Sequence, residues 1–248
     1  MPEFLPDLPV QEILACLSRA PGNEGKLGKI DSPDSSTALV ANAFGWFLHR
    51  PEVCPPLPGV PAGQVVAVSL TVEMQFPWTG GRHPWLDVGI STPTTLIGVT
   101  SRRYEPYRPQ KNSGFAEVFD RPVWREKLGS FTSLRDDLVA GKVWFDTLDA
   151  VQLIKQAYGI HTRAQKRAVG AVLVYLYAEP AVWASGKAVD AGRIALHRKE
   201  VAEFAAAVAG DGVVFVPLRW ADVLDQWAQV PALRDHVAAI RARFGDLG

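Results

Sequence analysis

From Val66 to Phe76 apolar and polar residues alternate: Val66, Val68, Leu70, Val72, Met74 and Phe76 on one parity, Ala67, Ser69, Thr71, Glu73 and Gln75 on the other. Successive side chains of a strand point to opposite faces, so this pattern predicts one strand with a buried face and a polar face, Glu73 on the polar one. A Trp-Thr-Gly-Gly turn leads to a second strand over Trp85–Ile90, and a Ser/Thr/Pro turn to a third over Leu96–Tyr104. Short turns between them predict an antiparallel meander.

The periodicity then changes. Val151, Leu153, Ile154, Ala157 and Tyr158 fall at helical spacing within Asp149–Ala164. Directly after it, Ala171–Ala178 is a continuous apolar run of the kind found in strands covered on both faces. A helix followed by a buried strand predicts a right-handed crossover that returns parallel to the meander. Further helices are expected over Val10–Arg19, Ser36–Leu48 and His197–Ala209, a short strand over Gly212–Leu218, and one or two closing helices over Trp220–Phe244. Between residues 55 and 61, Pro55, Pro56, Pro58 and Pro61 predict a stiff connector. No repeat or compositional break divides the chain. The expectation is a single α/β domain over 1–248: N-terminal helices and connector to residue 64, a core over 65–218, closing helices over 219–248.

Composition narrows the function classes. Apolar residues are 48% and charged residues 21% of 248, which suits a chain with a buried core. No apolar run approaches the roughly 20 residues that span a bilayer. The N-terminus carries early acids and prolines where a signal peptide has a basic and an apolar region. Two cysteines, Cys16 and Cys54, are too few for a disulfide framework and read as reduced thiols of a cytoplasmic protein. Lysine plus arginine equals aspartate plus glutamate, so any nucleic-acid contact must come from a local patch.

Phosphodiester hydrolysis asks for carboxylates that hold a divalent metal and for a cation nearby. Asp87, inside the second strand, is a candidate first carboxylate. On the third strand Gly98, Thr100, Arg102 and Tyr104 share a face. Arg102, Arg103, Arg108 and Lys111 form a basic run with Tyr104 and Tyr107 interleaved, a combination that suits nucleic acid and equally a solvated surface. Arg163, Lys166 and Arg167 read as cations at a helix C-terminus. His83 and His161 have no partner at metal spacing, and the eight tryptophans read as packing residues.

The ordered blocks FPWTGGRHPWLD, TTLIGVTSRRYEPYR, RPVWREKLGSF, LDAVQLIKQAYGI and VLVYLYAEP resemble a bacterial family of putative restriction endonucleases in the PD-(D/E)XK superfamily, over roughly Glu73 to Trp227. The resemblance implies a restriction-endonuclease-like αβββαβ core, a mixed central sheet flanked by helices. It also implies a nucleic-acid substrate, DNA foremost with RNA open, and a divalent metal, Mg²⁺ or Mn²⁺; a homodimer is compatible. Position by position, Asp87 matches the family's first metal ligand, and Gln152 and Lys155 match its Gln and Lys on the following helix. Glu24 matches an N-terminal acid loosely.

The departures lie at the centre of the motif. Thr100 stands where the family has a metal-binding Glu, and Arg102 where it has Lys. A threonine hydroxyl is a poor Mg²⁺ ligand, and arginine keeps its charge but gives up no proton. Glu73, on the neighbouring strand, is the candidate replacement ligand, and Glu105 has the wrong parity. Two functions follow: a metal-dependent endonuclease with a rebuilt site, or a non-catalytic nuclease-fold protein that binds nucleic acid or a partner protein.

Overall fold

Five strands pair in sequence order in the computed structural model, which describes residues 3–20, 29–78, 82–109, 114–124 and 126–248. Strands β1 (Ala67–Glu73), β2 (Trp85–Ser91) and β3 (Thr95–Arg102) form the antiparallel meander. Strands β4 (Gly170–Tyr177) and β5 (Val214–Arg219) then add parallel to β3 and to one another. The order puts β4 in the interior of the sheet, and seven of its eight residues are buried.

Helices cover both faces, making a mixed α/β architecture. One layer holds α1 (Val10–Arg19), α2 (Ser36–Phe44), α6 (Trp220–Ala228) and α7 (Arg234–Phe244); the other holds α3 (Gly129–Val139), α4 (Ala150–Lys166) and α5 (Ala191–Ala207). Buried Trp220 and Trp227 meet Phe44 edge-on at 6.0 and 5.2 Å. Such aromatic pairs add about 0.5–1.5 kcal/mol each beyond area burial and tie α6 to α2. Helix α4 begins where the Asp149 carboxylate accepts the Gln152 N–H at 2.9 Å, and it carries Arg163 and Lys166 in its last turn. No helix among the described residues is long and apolar enough to cross a membrane.

Three sequence expectations need correction. The alternation from Val66 to Phe76 does not define one buried face. Val68 and Leu70 enter the core beneath α2, whereas Met74 and Phe76 enter the core beneath α4, and Val66 is exposed. Thr71 adopts a left-handed φ of 48°, which turns the strand over at that residue. Second, α5 starts at Ala191 rather than His197, capped by Asp190, and helix α3 was not foreseen. Third, Trp144 does not pack inside; it is 73% exposed.

Candidate functional site

The turn-over of β1 has a counterpart in β2. Leu70 pairs with Val88 and Val72 with Leu86, yet Val88 lies in one core and Leu86 in the other. Between them stands Asp87. The ladder of β2 with β3 ends at Val88 and Val99, one residue short of Asp87, while β3 stays paired with β4 through Arg102 and Tyr177. Beyond that point the Asp87 side chain takes the place of the ladder. Its Oδ2 accepts the Ser101 backbone N–H at 2.6 Å and the Thr100 hydroxyl at 3.4 Å, and an Arg102 guanidinium nitrogen stands 3.7 Å away.

Of the expected face of β3, Gly98, Thr100 and Arg102 stay together, whereas Tyr104 lies past the strand end and stacks on Trp183. A Cβ at Gly98 would stand 2.2 Å from the Leu86 Cδ1 and 2.8 Å from the Ile160 Cδ1 of α4, so both side-chain ends would have to shift to admit one. Thr100, 1% exposed, accepts a hydrogen bond from the Gln156 amide at 3.2 Å, and the same amide donates to the Trp85 carbonyl at 2.7 Å. Arg102 donates to the Ser101 carbonyl at 2.7 Å. It opens on a cleft of about 290 Å³ lined also by Glu105, Thr147, Asp149, Gln152 and Tyr175. The cleft lies at the C-terminal ends of the parallel strands, the usual ligand position in open α/β sheets.

The wall of the cleft is held from α5. The Glu200 carboxylate accepts the backbone N–H groups of Asp146, Thr147 and Leu148 at 2.7, 2.8 and 3.0 Å and the Thr147 hydroxyl at 2.5 Å. His197 sits between the Thr147 hydroxyl, 3.3 Å from Nδ1, and the Tyr175 hydroxyl, 3.2 Å from Nε2. Burial pushes its pKa down to about 4, so the ring is neutral at pH 7.

Electrostatics at the centre are coupled. Burial pushes the Asp87 carboxyl above the ordinary carboxylate range and Glu105 adds to the rise, against the pull of Arg102, the Ser101 N–H and the Thr100 hydroxyl. Burial works against the charge on Arg102, but Asp87, Glu105, Tyr175 and Asp149 outweigh it, and Arg102 is more firmly protonated than usual. The site therefore contains a fixed cation beside a carboxylate that resists ionisation.

These residues do not fit Mg²⁺. A magnesium ion takes oxygen ligands in octahedral array, with at least one or two free carboxylates. Asp87 Oδ2 is already occupied by three groups, position 100 offers a neutral hydroxyl, and Oε2 of Glu105 accepts from Ser36, Arg103 and Tyr104 at 2.8, 2.8 and 3.1 Å. Among the described residues no three His, Cys, Asp or Glu side chains gather as a metal-binding group. What the arrangement can do is present a guanidinium fork, which matches the oxygens of a phosphate.

The other candidates separate. Glu73 pairs with Trp85, farther along the strand than Thr71, and its surroundings are Gln75, Arg163, Lys166 and Arg167; it is not among the charges that act on Asp87. Gln152 reaches the cleft, while Lys155 donates to the Gly114 carbonyl at 2.9 Å and lies over the rings of Phe115 and Phe119. Within the described part of the basic run after β3, Arg103 turns inward while Arg108 stays exposed. Arg103 is 3% exposed and spends its guanidinium on the carbonyls of Pro33 and Phe244, Tyr104 and Tyr107 are buried, and Arg108 pairs with Asp34. Arg103, directly before Tyr104, turns inward with it, its guanidinium carbon 4.7 Å from the Tyr104 ring centroid. Glu24 and Lys111 lie outside the described residues.

Two site residues escaped the sequence reading. Glu105 was set aside on strand parity, but the chain leaves the strand after Arg102 and forms a 3₁₀ turn over Glu105–Tyr107, where parity no longer applies. Gln156 lies one turn beyond Gln152 on the same helix, and a buried glutamine inside an otherwise apolar stripe was the available signal. Comparison with protein-family models, with curated proteins and with solved structures returned no match, so the site stands on its own geometry.

Proposed function

We propose that the protein is a nuclease-like, nucleic-acid-binding protein that grips a phosphodiester with Arg102 and does not cleave it by the two-carboxylate, metal-dependent route. The restriction-endonuclease-like assignment belongs to this reading. The element order of helix, three-strand meander, helix and parallel strand supports it, as does the position of Asp87 where β2 and β3 part. The observation that carries the non-cleaving half is the occupancy of Asp87. Its oxygen is engaged by Ser101, Thr100 and Arg102, so a cation already fills the charge role that a metal would take.

The test pairs two measurements on one preparation: retardation of a plasmid on a native gel, and nicking of the same plasmid with Mg²⁺ or Mn²⁺. Retardation without nicking supports the reading. Nicking that Asp87→Ala abolishes would restore the rebuilt-endonuclease alternative.

A further inference from the structure

We propose that a single, unpaired nucleic-acid strand reaches the Arg102 cleft along the flank of α4, its phosphates following Lys155, Arg82, Arg163, Lys166 and Arg167. This rests on the nucleic-acid reading above and adds the path and the strandedness.

The cleft shares Gln152 with a neighbouring cavity of about 990 Å³, whose cations are Arg82 and Lys155. That cavity shares Glu73 with a third, of about 370 Å³, lined by Arg163, Lys166 and Arg167. Gln152, Lys155, Arg163 and Lys166 recur on one face of the helix. Midway stands Gly159, where a Cβ would meet Met74 and Pro84 at 2.6–2.9 Å. The chain crosses α4 closely there, and the second and third cavities share the neighbouring Glu73.

Charge favours an anionic occupant. Glu73 is the one acid among the described residues lining the second and third cavities, against five arginines and lysines, in a chain whose net charge is zero. Lys166 and Arg167 are exposed at the end of the helix and form no ion pair with a described residue, nor does Arg82. Burial, and then the neighbouring Arg167, push the pKa of Arg163 down, so a phosphate bound between them is favoured.

The walls favour an unpaired strand. Trp85 and Val118, both half-buried, line the middle cavity and offer apolar surface to base faces, which a duplex keeps stacked inside. From Gln152 to Lys166 the helix axis advances about 21 Å, which is about six nucleotides of a stacked strand.

The experiment is fluorescence anisotropy of a labelled oligothymidylate roughly 20 nucleotides long, and of the same oligonucleotide annealed to its complement, at about 50 mM salt. We expect Lys166→Glu with Arg167→Glu to weaken single-strand binding by about tenfold or more and to flatten its salt dependence. Lys199→Glu with Arg234→Glu, an equal charge reversal on exposed sites elsewhere, should change it by less than about twofold. If the single strand binds and Arg102→Ala weakens it while the Lys166/Arg167 reversal does not, the function stands and the path is wrong. Equal or tighter binding of the duplex overturns the single-strand claim. If the unmodified protein binds neither, this inference and the proposed function fail together.

Discussion

The carboxylate of Asp87 accepts the backbone N–H of Ser101 at 2.6 Å, across the gap where β2 has stopped pairing with β3. A side chain thus completes a ladder that the main chain has abandoned. Asp87→Ala leaves that N–H and the Thr100 hydroxyl without their acceptor and Arg102 without its counter-ion. Because the Asp87 side chain is 32% exposed, water replaces part of what is lost. The expected cost is about 1–2 kcal/mol in urea unfolding, with Asp87→Asn costing less because it keeps an acceptor oxygen. A loss below about 0.5 kcal/mol would mean that the carboxylate does not brace the strands.

The Glu200 carboxylate carries four hydrogen bonds from residues 146–148 and is 5% exposed. Glu200→Ala strands two buried backbone donors, those of Thr147 and Leu148, and the half-buried one of Asp146, in the segment that delivers Asp149 and α4. A destabilisation of about 2–4 kcal/mol is expected in chemical denaturation. Glu200→Gln, which keeps one acceptor oxygen, should recover part of it.

Gly159 tests the crossing of α4 by the sheet. Its added Cβ would meet the Met74 carbonyl oxygen at 2.9 Å, and backbone does not move aside as a flexible side chain does. Gly159→Ala should cost about 1–3 kcal/mol, although alanine favours helices elsewhere. An unchanged or raised stability would show that the helix stands farther from the strand.

Acid should destabilise the fold through His197. Its pKa in the folded protein is about 4, against the ordinary value of 6.5. Between those limits the unfolded chain binds a proton that the folded chain refuses. The contribution is therefore whole above about pH 6.5 and drains away towards about pH 4, by about 3 kcal/mol at most. Asp87 acts in the opposite sense: its raised pKa keeps the proton on the folded state, so stability falls as pH rises above the ordinary carboxylate range. Urea unfolding at about pH 4.5 and 7.5 separates the two, since His197→Asn should show a smaller acid loss than the unmodified protein. Equal losses would argue against a buried neutral imidazole.

Most of the architecture was legible because it is carried by local pattern. The helical stripe of α4 and the unbroken apolar run of β4 announce a helix and an interior strand, and the structure places them so. What escaped was decided by residues distant in sequence. Helix α3 has no side-chain cap of its own; the Asp211 carboxylate supplies one, accepting the Phe131 N–H at 3.0 Å from eighty residues away. The turn-over at Thr71 is likewise invisible to alternation, since every even position stays apolar while the face beneath it changes. At the site, strand parity put Thr100 and Arg102 together with Asp87. It failed for Glu105, which lies past the end of the strand.

In the reading proposed above, Arg102 rather than a metal holds the phosphate. Anisotropy of a labelled oligonucleotide in EDTA, with the unmodified protein and with Arg102→Ala, addresses it directly. The expected result is binding that EDTA leaves intact and that Arg102→Ala weakens by about tenfold, the worth of a charge-assisted contact. Binding that appears only with Mg²⁺ or Mn²⁺, or that Arg102→Ala leaves unchanged, would contradict it.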